Sequence, residues 1–144
     1  MKRIVILGAG TGGTIMANLL RRRLDPAFWA ITIIDRDNEH YYQPGFLFIP
    51  FGFYKKKDIV KPRLKFLPRT VEFIVAEVDK INPGSNEVVF QDGSFLGYDY
   101  LIVATGAEIV PAETPGMLDG WRDTIFDFYT PDGATALAEK LKAL

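Results

Sequence analysis

An α/β fold built on a parallel sheet and interrupted by an antiparallel β insert is what this sequence predicts. Three observations carry that reading. Ile4-Val5-Ile6-Leu7 is an unbroken apolar run that feeds a glycine-rich turn and then a helical pattern. A second apolar run, Trp29 to Ile34, follows that helix, and a third, Tyr98 to Val103, comes much later in the chain. Runs with no polar alternation, spaced by a helix, are strands covered on both faces.

The first strand begins at Lys2 and ends in Gly8-Ala9-Gly10-Thr11-Gly12-Gly13, a Gly-x-Gly-x-x-Gly pattern. Gly8 lets the chain turn sharply, Gly10 lets a pyrophosphate meet bare backbone, and Gly13 lets helix and strand pack closely. The helix, from Thr14 to about Leu24, aims its free N–H groups and positive dipole end at those phosphates. Alone, a glycine pattern of this kind can be a simple turn. Here a strand precedes it, a helix follows it, and an acid stands at the expected distance. Asp25-Pro26 breaks the helix, and the second strand ends at Asp35, about twenty residues beyond the glycines, where a dinucleotide fold places its acceptor for ribose hydroxyls. A carboxylate there repels a 2′-phosphate, which favours FAD or NAD over NADP, although Arg36 beside it softens the exclusion. The alternative is an acid that caps or solvates a strand end.

Asn38 to Tyr54 is a long aromatic loop punctuated by Pro44, Gly45, Pro50 and Gly52. Compact domains rarely carry such a loop without use. It could cover a flat ring system, fill a core, or pack against another part of a longer protein, and composition favours the last two. Lys55-Lys56-Lys57 reads as a solvated face. Asp58 to Leu67 has broken helical character, interrupted by Pro62 and closed by Pro68. Val71 to Ile81 alternates as a strand, Asn82 to Asn86 is a turn, and Glu87–Phe90 with Phe95-Leu96 forms a short hairpin about Asp92-Gly93-Ser94. Tyr98 to Gly106 returns to a fully apolar strand, expected centrally beside the first. After a loop marked by Pro111, Pro115, Gly116 and Gly120, Thr130-Pro131-Asp132-Gly133 reads as an N-cap and helix start, with proline at the first helical position.

Composition excludes several function classes. With 17 basic and 18 acidic residues, charge gives no reason to expect nucleic acid. There is no cysteine, so disulfides, thiolate metal sites and a thiol nucleophile are absent from these 144 residues. A single histidine, His40, makes a metal centre or a histidine-based triad a poor reading. No run approaches the roughly 18 apolar residues of a membrane helix, and no signal peptide is recognisable.

The opening turn, Asp35 and the strand end Ala104-Thr105-Gly106 resemble the two-dinucleotide-binding flavoprotein superfamily. More closely, Val5–Gly13, Tyr42-Gln43-Pro44 with its aromatic loop, and Tyr98–Gly106 resemble the amino-terminal part of sulfide:quinone oxidoreductases and of the related flavocytochrome c sulfide dehydrogenase flavoprotein. Type II NADH:quinone dehydrogenases are similar at the next remove. The resemblance covers essentially the whole chain and implies a Rossmann-like, three-layer FAD/NAD(P)-binding fold, with residues 1–144 forming an incomplete amino-terminal part of it. It implies FAD as cofactor. Gly8, Gly10, Thr11, Gly12 and Gly13 would contact the pyrophosphate, Asp35 the adenosine ribose, and the Val78 backbone the adenine. Pro44 would approach the isoalloxazine, and Thr105 and Gly106 would flank the cofactor. For Val78 the plain alternative is a strand core residue.

Two departures qualify the resemblance. Many members carry a redox cysteine in the segment that here reads Asp127 to Gly133, and Tyr129 stands at that position. Some branches lack that cysteine and keep two later ones, so no sulfur-carrying residue can be named here. Members are also much longer, with a second nucleotide-like domain and a carboxy-terminal membrane-facing part. The resemblance therefore implies an intact enzyme peripheral to a prokaryotic inner membrane, in which sulfide attacks a disulfide of later cysteines and electrons pass by way of the flavin to a quinone. The 144-residue piece itself is expected to be soluble and inactive. The second hypothesis is a type II NADH:quinone dehydrogenase part, which would show a second glycine fingerprint in place of paired cysteines. The third is a stand-alone nucleotide-binding module, which would need a complete sheet within 144 residues.

A part of a larger protein leaves apolar surface uncovered, on one side of the sheet and along Tyr41–Tyr54, and should self-associate. Light scattering at high concentration is expected to show species larger than the 16.2 kDa chain; a monodisperse monomer would refute this.

Overall fold

In a computed structural model describing residues 1–144, the chain forms two compact units. The first comprises residues 1–40 and 62–106, the second 41–61 and 107–144.

The first unit has three layers. Its central sheet contains β1 (Lys2–Leu7), β2 (Trp29–Asp35), β5 (Glu72–Val75) and β9 (Tyr100–Val103) in the order β5-β2-β1-β9, and every pairing is parallel. Helix α1 (Thr11–Arg23) joins β1 to β2 and covers one face. Because side chains alternate across a strand, Ile4 and Ile6 of β1 and Ile31 and Ile33 of β2 point to that face, where Ala17, Met16 and Leu20 meet them. Val5, Leu7 and Ile34 point to the opposite face. There a three-stranded antiparallel meander supplies the third layer: β6 (Val78–Asn82), β7 (Glu87–Phe90) and β8 (Phe95–Gly97), with Val88 and Phe90 in the contact. Both faces of Ile4–Leu7 in β1 and of Ile31–Ile34 in β2 are thus dry, which is why these stretches read as apolar runs. Thr32 is the buried polar exception, and its hydroxyl donates to Glu72 Oε2 at 2.8 Å.

Three expectations need adjustment. Helix α1 begins at Thr11 rather than Thr14, because Gly12 and Gly13 already adopt helical backbone. The stretch Val71–Ile81 is two strands, not one. Its first half joins the parallel sheet as β5 and its second half opens the meander as β6. Strand β9 does lie beside β1, but at the sheet edge, with Leu101 and Ile102 half-buried and Val103 61% exposed. An apolar run reports an affinity for cover, not the number of neighbouring strands.

A short ribbon, β3 (Glu39–Tyr41) with β4 (Val60–Pro62), stands where the chain leaves and re-enters the first unit. The second unit contains the aromatic loop, helix α2 (Lys56–Ile59) and helix α3 (Pro131–Lys142). The loop turns out to be divided in its use. Its 3₁₀ segment Gln43–Phe48 buries Phe46, which with Ile49 and Ile59 packs against Ala134 and Ala138 of α3. Phe51 and Phe53 are 64% and 75% exposed. Lys55, Lys56 and Lys57 are exposed as expected, with Lys56 Nζ 3.1 Å from Asp132.

Helix α3 starts as its sequence dictates, with Pro131 at its first position. Thr130 Oγ1 accepts the Gly133 N–H at 3.0 Å and in turn donates to Asp127 Oδ1 at 3.0 Å. Asp127 is buried, also accepts the Tyr129 and Thr130 amides at 3.0 and 2.8 Å, and pairs through Oδ2 with Arg122 at 2.9 Å. A single hydroxyl therefore links the helix cap to a buried acid. Thr130→Ala is expected to lower stability by about 1 kcal/mol or somewhat more, read as a drop in urea midpoint at unchanged m-value; a shift within error of zero would show that Asp127 alone holds the helix start.

Candidate functional site

The sheet order places the carboxyl ends of β2, β1 and β9 side by side. From β1 the chain moves out to β2 on one side, while β9 returns on the other. At such a reversal the loops diverge, and an open parallel sheet acquires its ligand crevice there.

The glycine turn borders this edge. Gly8 has φ of +91°, and a Cβ there would lie 2.4 Å from the Ala104 carbonyl oxygen. A Cβ at Gly13 would lie 1.8 Å from the Gly8 carbonyl oxygen. Any side chain at either position would force α1 or β9 away from the turn. Around Gly10, by contrast, nothing lies within 4 Å of a built Cβ. That open approach is what a bulky anion needs. Gly10 is the N-cap of α1 in extended conformation and makes no side-chain cap. The first turn of α1 carries no acid, and its last turn carries Arg21, Arg22 and Arg23. The helix thus complements its negative end internally and leaves its positive end to a ligand. Thr11 and Gly12 at that end are exposed.

Asp35 closes β2 and is drawn into the turn. Its Oδ2 accepts the Ala9 N–H at 2.7 Å, and its Oδ1 lies 3.1 Å from Arg63 Nη2. The carboxylate keeps 13% side-chain exposure. Arg63 was not among the residues the sequence singled out. It follows β4, is 6% exposed, and its Nη1 donates to the Ala9 carbonyl at 2.6 Å. No local signal marks it, since one arginine in a broken helical stretch looks like any other. His40 also belongs here. Its ring lies 4.6 Å from that of Phe66, tilted by 39°, and burial holds its pKa below the ordinary 6.5. A hydrogen bond to the Ala9 backbone works against that shift, while the Arg63 charge adds to it.

Among the site candidates, Gly8, Gly10, Thr11, Gly12, Gly13, Asp35, Thr105 and Gly106 converge on this edge. Thr105 Cα lies 2.9 Å from the position a Gly8 Cβ would take, and the Ala104 N–H donates to the Leu7 carbonyl at 2.7 Å. Gly106 has φ of +78° and is exposed. Val78 comes to the same edge because the Ala76 N–H donates to the Asp35 carbonyl at 2.9 Å; its side chain packs below the sheet. Pro44 is exposed in the second unit, at the start of the 3₁₀ segment. Tyr129, also in the second unit, directly precedes the cap of α3, with its hydroxyl 3.4 Å from the Ala107 carbonyl.

Residues 2–143 match the pyridine nucleotide-disulphide oxidoreductase family. The chain belongs to that family. Members are FAD-binding flavoproteins, so the cofactor implied by the sequence is the family's own. The residues present fit its ADP half: a bare turn, an uncapped helix end, and an acid at the end of β2. A mitochondrial sulfide:quinone oxidoreductase from Dictyostelium discoideum is 29% identical over 143 residues, 99% of this chain and 31% of that protein. A sulfide-quinone reductase from Aquifex aeolicus is 34% identical over 110 residues, 76% of this chain and 25% of that protein. The crystal structure of the sulfide:quinone oxidoreductase from Aquifex aeolicus superposes with a TM-score of 0.84 at 30% identity, over 100% of this chain and 32% of that one. The chain therefore spans between a quarter and a third of the length of these relatives. No helix in it is long and apolar enough to cross a membrane.

Because the folded state disfavours protonated His40, the unfolded chain takes up the proton first as pH falls below about 6.5. Stability should decline with falling pH across the window between the lowered folded pKa and 6.5. His40→Gln should remove that part of the slope, seen as a wild-type-minus-variant difference in denaturant midpoint that shrinks from pH 7.5 to pH 5. A difference independent of pH would refute the assignment.

Proposed function

We propose that this chain is the FAD-binding part of a flavin-dependent oxidoreductase that carries electrons from sulfide to a quinone. The observation that carries the proposal is the convergence of the bare glycine turn, Asp35 and Thr105-Gly106 on one sheet edge, in a chain alike along its full length to sulfide:quinone oxidoreductases.

When bound, FAD supplies the electron chemistry; the protein supplies binding, orientation and electrostatics. The exposed end of α1 at Thr11 and Gly12 offers N–H groups and dipole to the pyrophosphate. Asp35, with one oxygen on Ala9 and one on Arg63, retains lone pairs toward the ribose hydroxyls. The start of β6 at Val78 presents backbone to the adenine, while Thr105 and Gly106 border the cofactor beside Gly8. The assignment of Pro44 to the isoalloxazine rests on the family resemblance alone. The sulfur-handling groups belong to other parts of the intact enzyme, as no cysteine occurs in these 144 residues. Contact with a membrane, where the quinone is found, is assigned to those other parts as well.

A second reading, part of a type II NADH:quinone oxidoreductase, has its own support. The enzyme of that name from Staphylococcus haemolyticus is 29% identical over 98% of this chain. Paired cysteines or a second glycine fingerprint elsewhere in the full-length protein would separate the two.

Calorimetric titration of the chain with FAD, ADP and NAD in parallel is expected to show FAD and ADP binding, with NAD at least about tenfold weaker, a difference of about 1.4 kcal/mol. Tight NAD binding with FAD ignored would overturn the flavoprotein reading and favour a nucleotide-binding module.

A further inference from the structure

Of the charged residues in the first unit, Arg63 alone is buried. Every nitrogen of its guanidinium is engaged at the ends of β1 and β2. Nη1 donates to the Ala9 carbonyl at 2.6 Å, Nη2 lies 3.1 Å from Asp35 Oδ1 and 3.0 Å from Asp37 Oδ1, and Nε donates to the Asp37 carbonyl at 3.0 Å. Asp35 Oδ2 in turn accepts the Ala9 N–H at 2.7 Å. Arg63, Asp35 and the Ala9 peptide thus close a ring. Both peptide groups of Ala9, which lies between the two glycines Gly8 and Gly10, are held on the protein side. The turn is set before any ligand arrives, and the Ala9 carbonyl, already accepting from Arg63 and from Thr14 Oγ1 at 3.1 Å, offers no repulsive lone pair to an anion.

Two consequences follow from the chemistry of the fork. A guanidinium can hold a carbonyl and a carboxylate at once in fixed geometry; an ammonium holds them only as a point charge. And Asp35, which by itself would present a full negative charge to the ribose edge, is offset by Arg63, a guanidinium it shares with Asp37. Selectivity against a 2′-phosphate therefore cannot be the property of Asp35 alone.

We propose that Arg63 is the positioning residue of the dinucleotide turn and that, paired with Asp35, it sets the selectivity between a 2′-hydroxyl and a 2′-phosphate on the adenosine ribose. This rests on the dinucleotide reading of the site. Arg63→Met removes charge and fork at similar volume; Arg63→Lys keeps the charge and loses the fork. The chain and both variants are titrated with ADP and with 2′-phospho-ADP, and folding is checked by circular dichroism and thermal melting. Arg63→Met should weaken ADP by about tenfold or more and 2′-phospho-ADP by several-fold more than that, because the ribose edge becomes one charge more negative. Arg63→Lys should weaken both nucleotides but keep the wild-type ratio between them. A role confined to holding the fold would move both nucleotides equally.

ADP binding by Arg63→Met at the wild-type level would overturn the proposal, and equal losses for the two nucleotides would overturn its selectivity half. Should Arg63→Met not fold, Arg63→Lys decides: weaker ADP together with faster exchange of the Ala9 amide and Ile6 unchanged supports the positioning half, unchanged ADP refutes it, and a changed ratio between the two nucleotides overturns the selectivity half. Should the wild-type chain bind neither nucleotide, the dinucleotide reading falls, and with it the selectivity half. The positioning half is then decided without ligand by hydrogen exchange of the Ala9 amide. Exchange at least about tenfold faster in the variant, with Ile6 unchanged, supports it; an unchanged Ala9 rate overturns it.

Discussion

The structure depends on a backbone-to-backbone approach that no side chain would survive. Helix α1 leaves β1 so abruptly that a Cβ at Gly13 would sit 1.8 Å from the Gly8 carbonyl oxygen, and β9 runs so close on the other side that a Cβ at Gly8 would sit 2.4 Å from the Ala104 carbonyl oxygen. That crowding brings the helix N-terminus over the end of the sheet. It also aligns the three strand ends that make the crevice. If the glycines carried side chains, the helix would start elsewhere and its dipole would point elsewhere. The chemistry of the site is a consequence of this one packing constraint.

Electrostatics then decides what the crevice accepts. The helix offers its positive end without an acid in its first turn and balances its negative end with three arginines. Asp35 would oppose an anion if it stood free, yet it is held in a ring with Arg63 and Ala9. Taking an arginine and a carboxylate out of water carries a desolvation penalty that only good geometry offsets. Here the guanidinium meets a carbonyl, two carboxylates and a second carbonyl, which gives each of its three nitrogens a partner while fixing the turn. Burial penalises the charged form of His40 beside it and holds its pKa below the ordinary 6.5, and the Arg63 charge acts in the same direction.

The three layers of the first unit explain how so short a stretch supports the turn. β1 and β2 lie between α1 and the meander, with Ile6 and Ile33 fully buried on one face and Val5 and Ile34 nearly so on the other. A turn anchored on two dry strands is stiff, and stiffness suits the pyrophosphate binding proposed for it, because a preorganised site need not rearrange. The second unit solves a different problem. It gathers Phe46, Ile49 and Ile59 against α3 while leaving Phe51 and Phe53 in solvent, so the same aromatic loop serves as core at one end and surface at the other.

Sequence by itself determined what depends on neighbours in the chain. Unbroken apolar runs marked β1 and β2, Gly8 to Gly13 marked the turn, Asp35 marked the strand end, and Thr130-Pro131 marked the start of α3, each because the relevant contact lies within a few residues or because steric exclusion admits only one residue type. Tertiary structure alone decided the rest. The Arg63 circuit spans 54 residues to Ala9, so no local pattern encodes it. The division of Val71–Ile81 between two sheets depends on which partner strand each half finds, and the edge position of β9 depends on what pairs with its far side. Which aromatics of Tyr41–Tyr54 are buried depends on where Ala134 and Ala138 stand. Hydrophobicity states that a side chain prefers to leave water; only the assembled fold determines what it meets when it does.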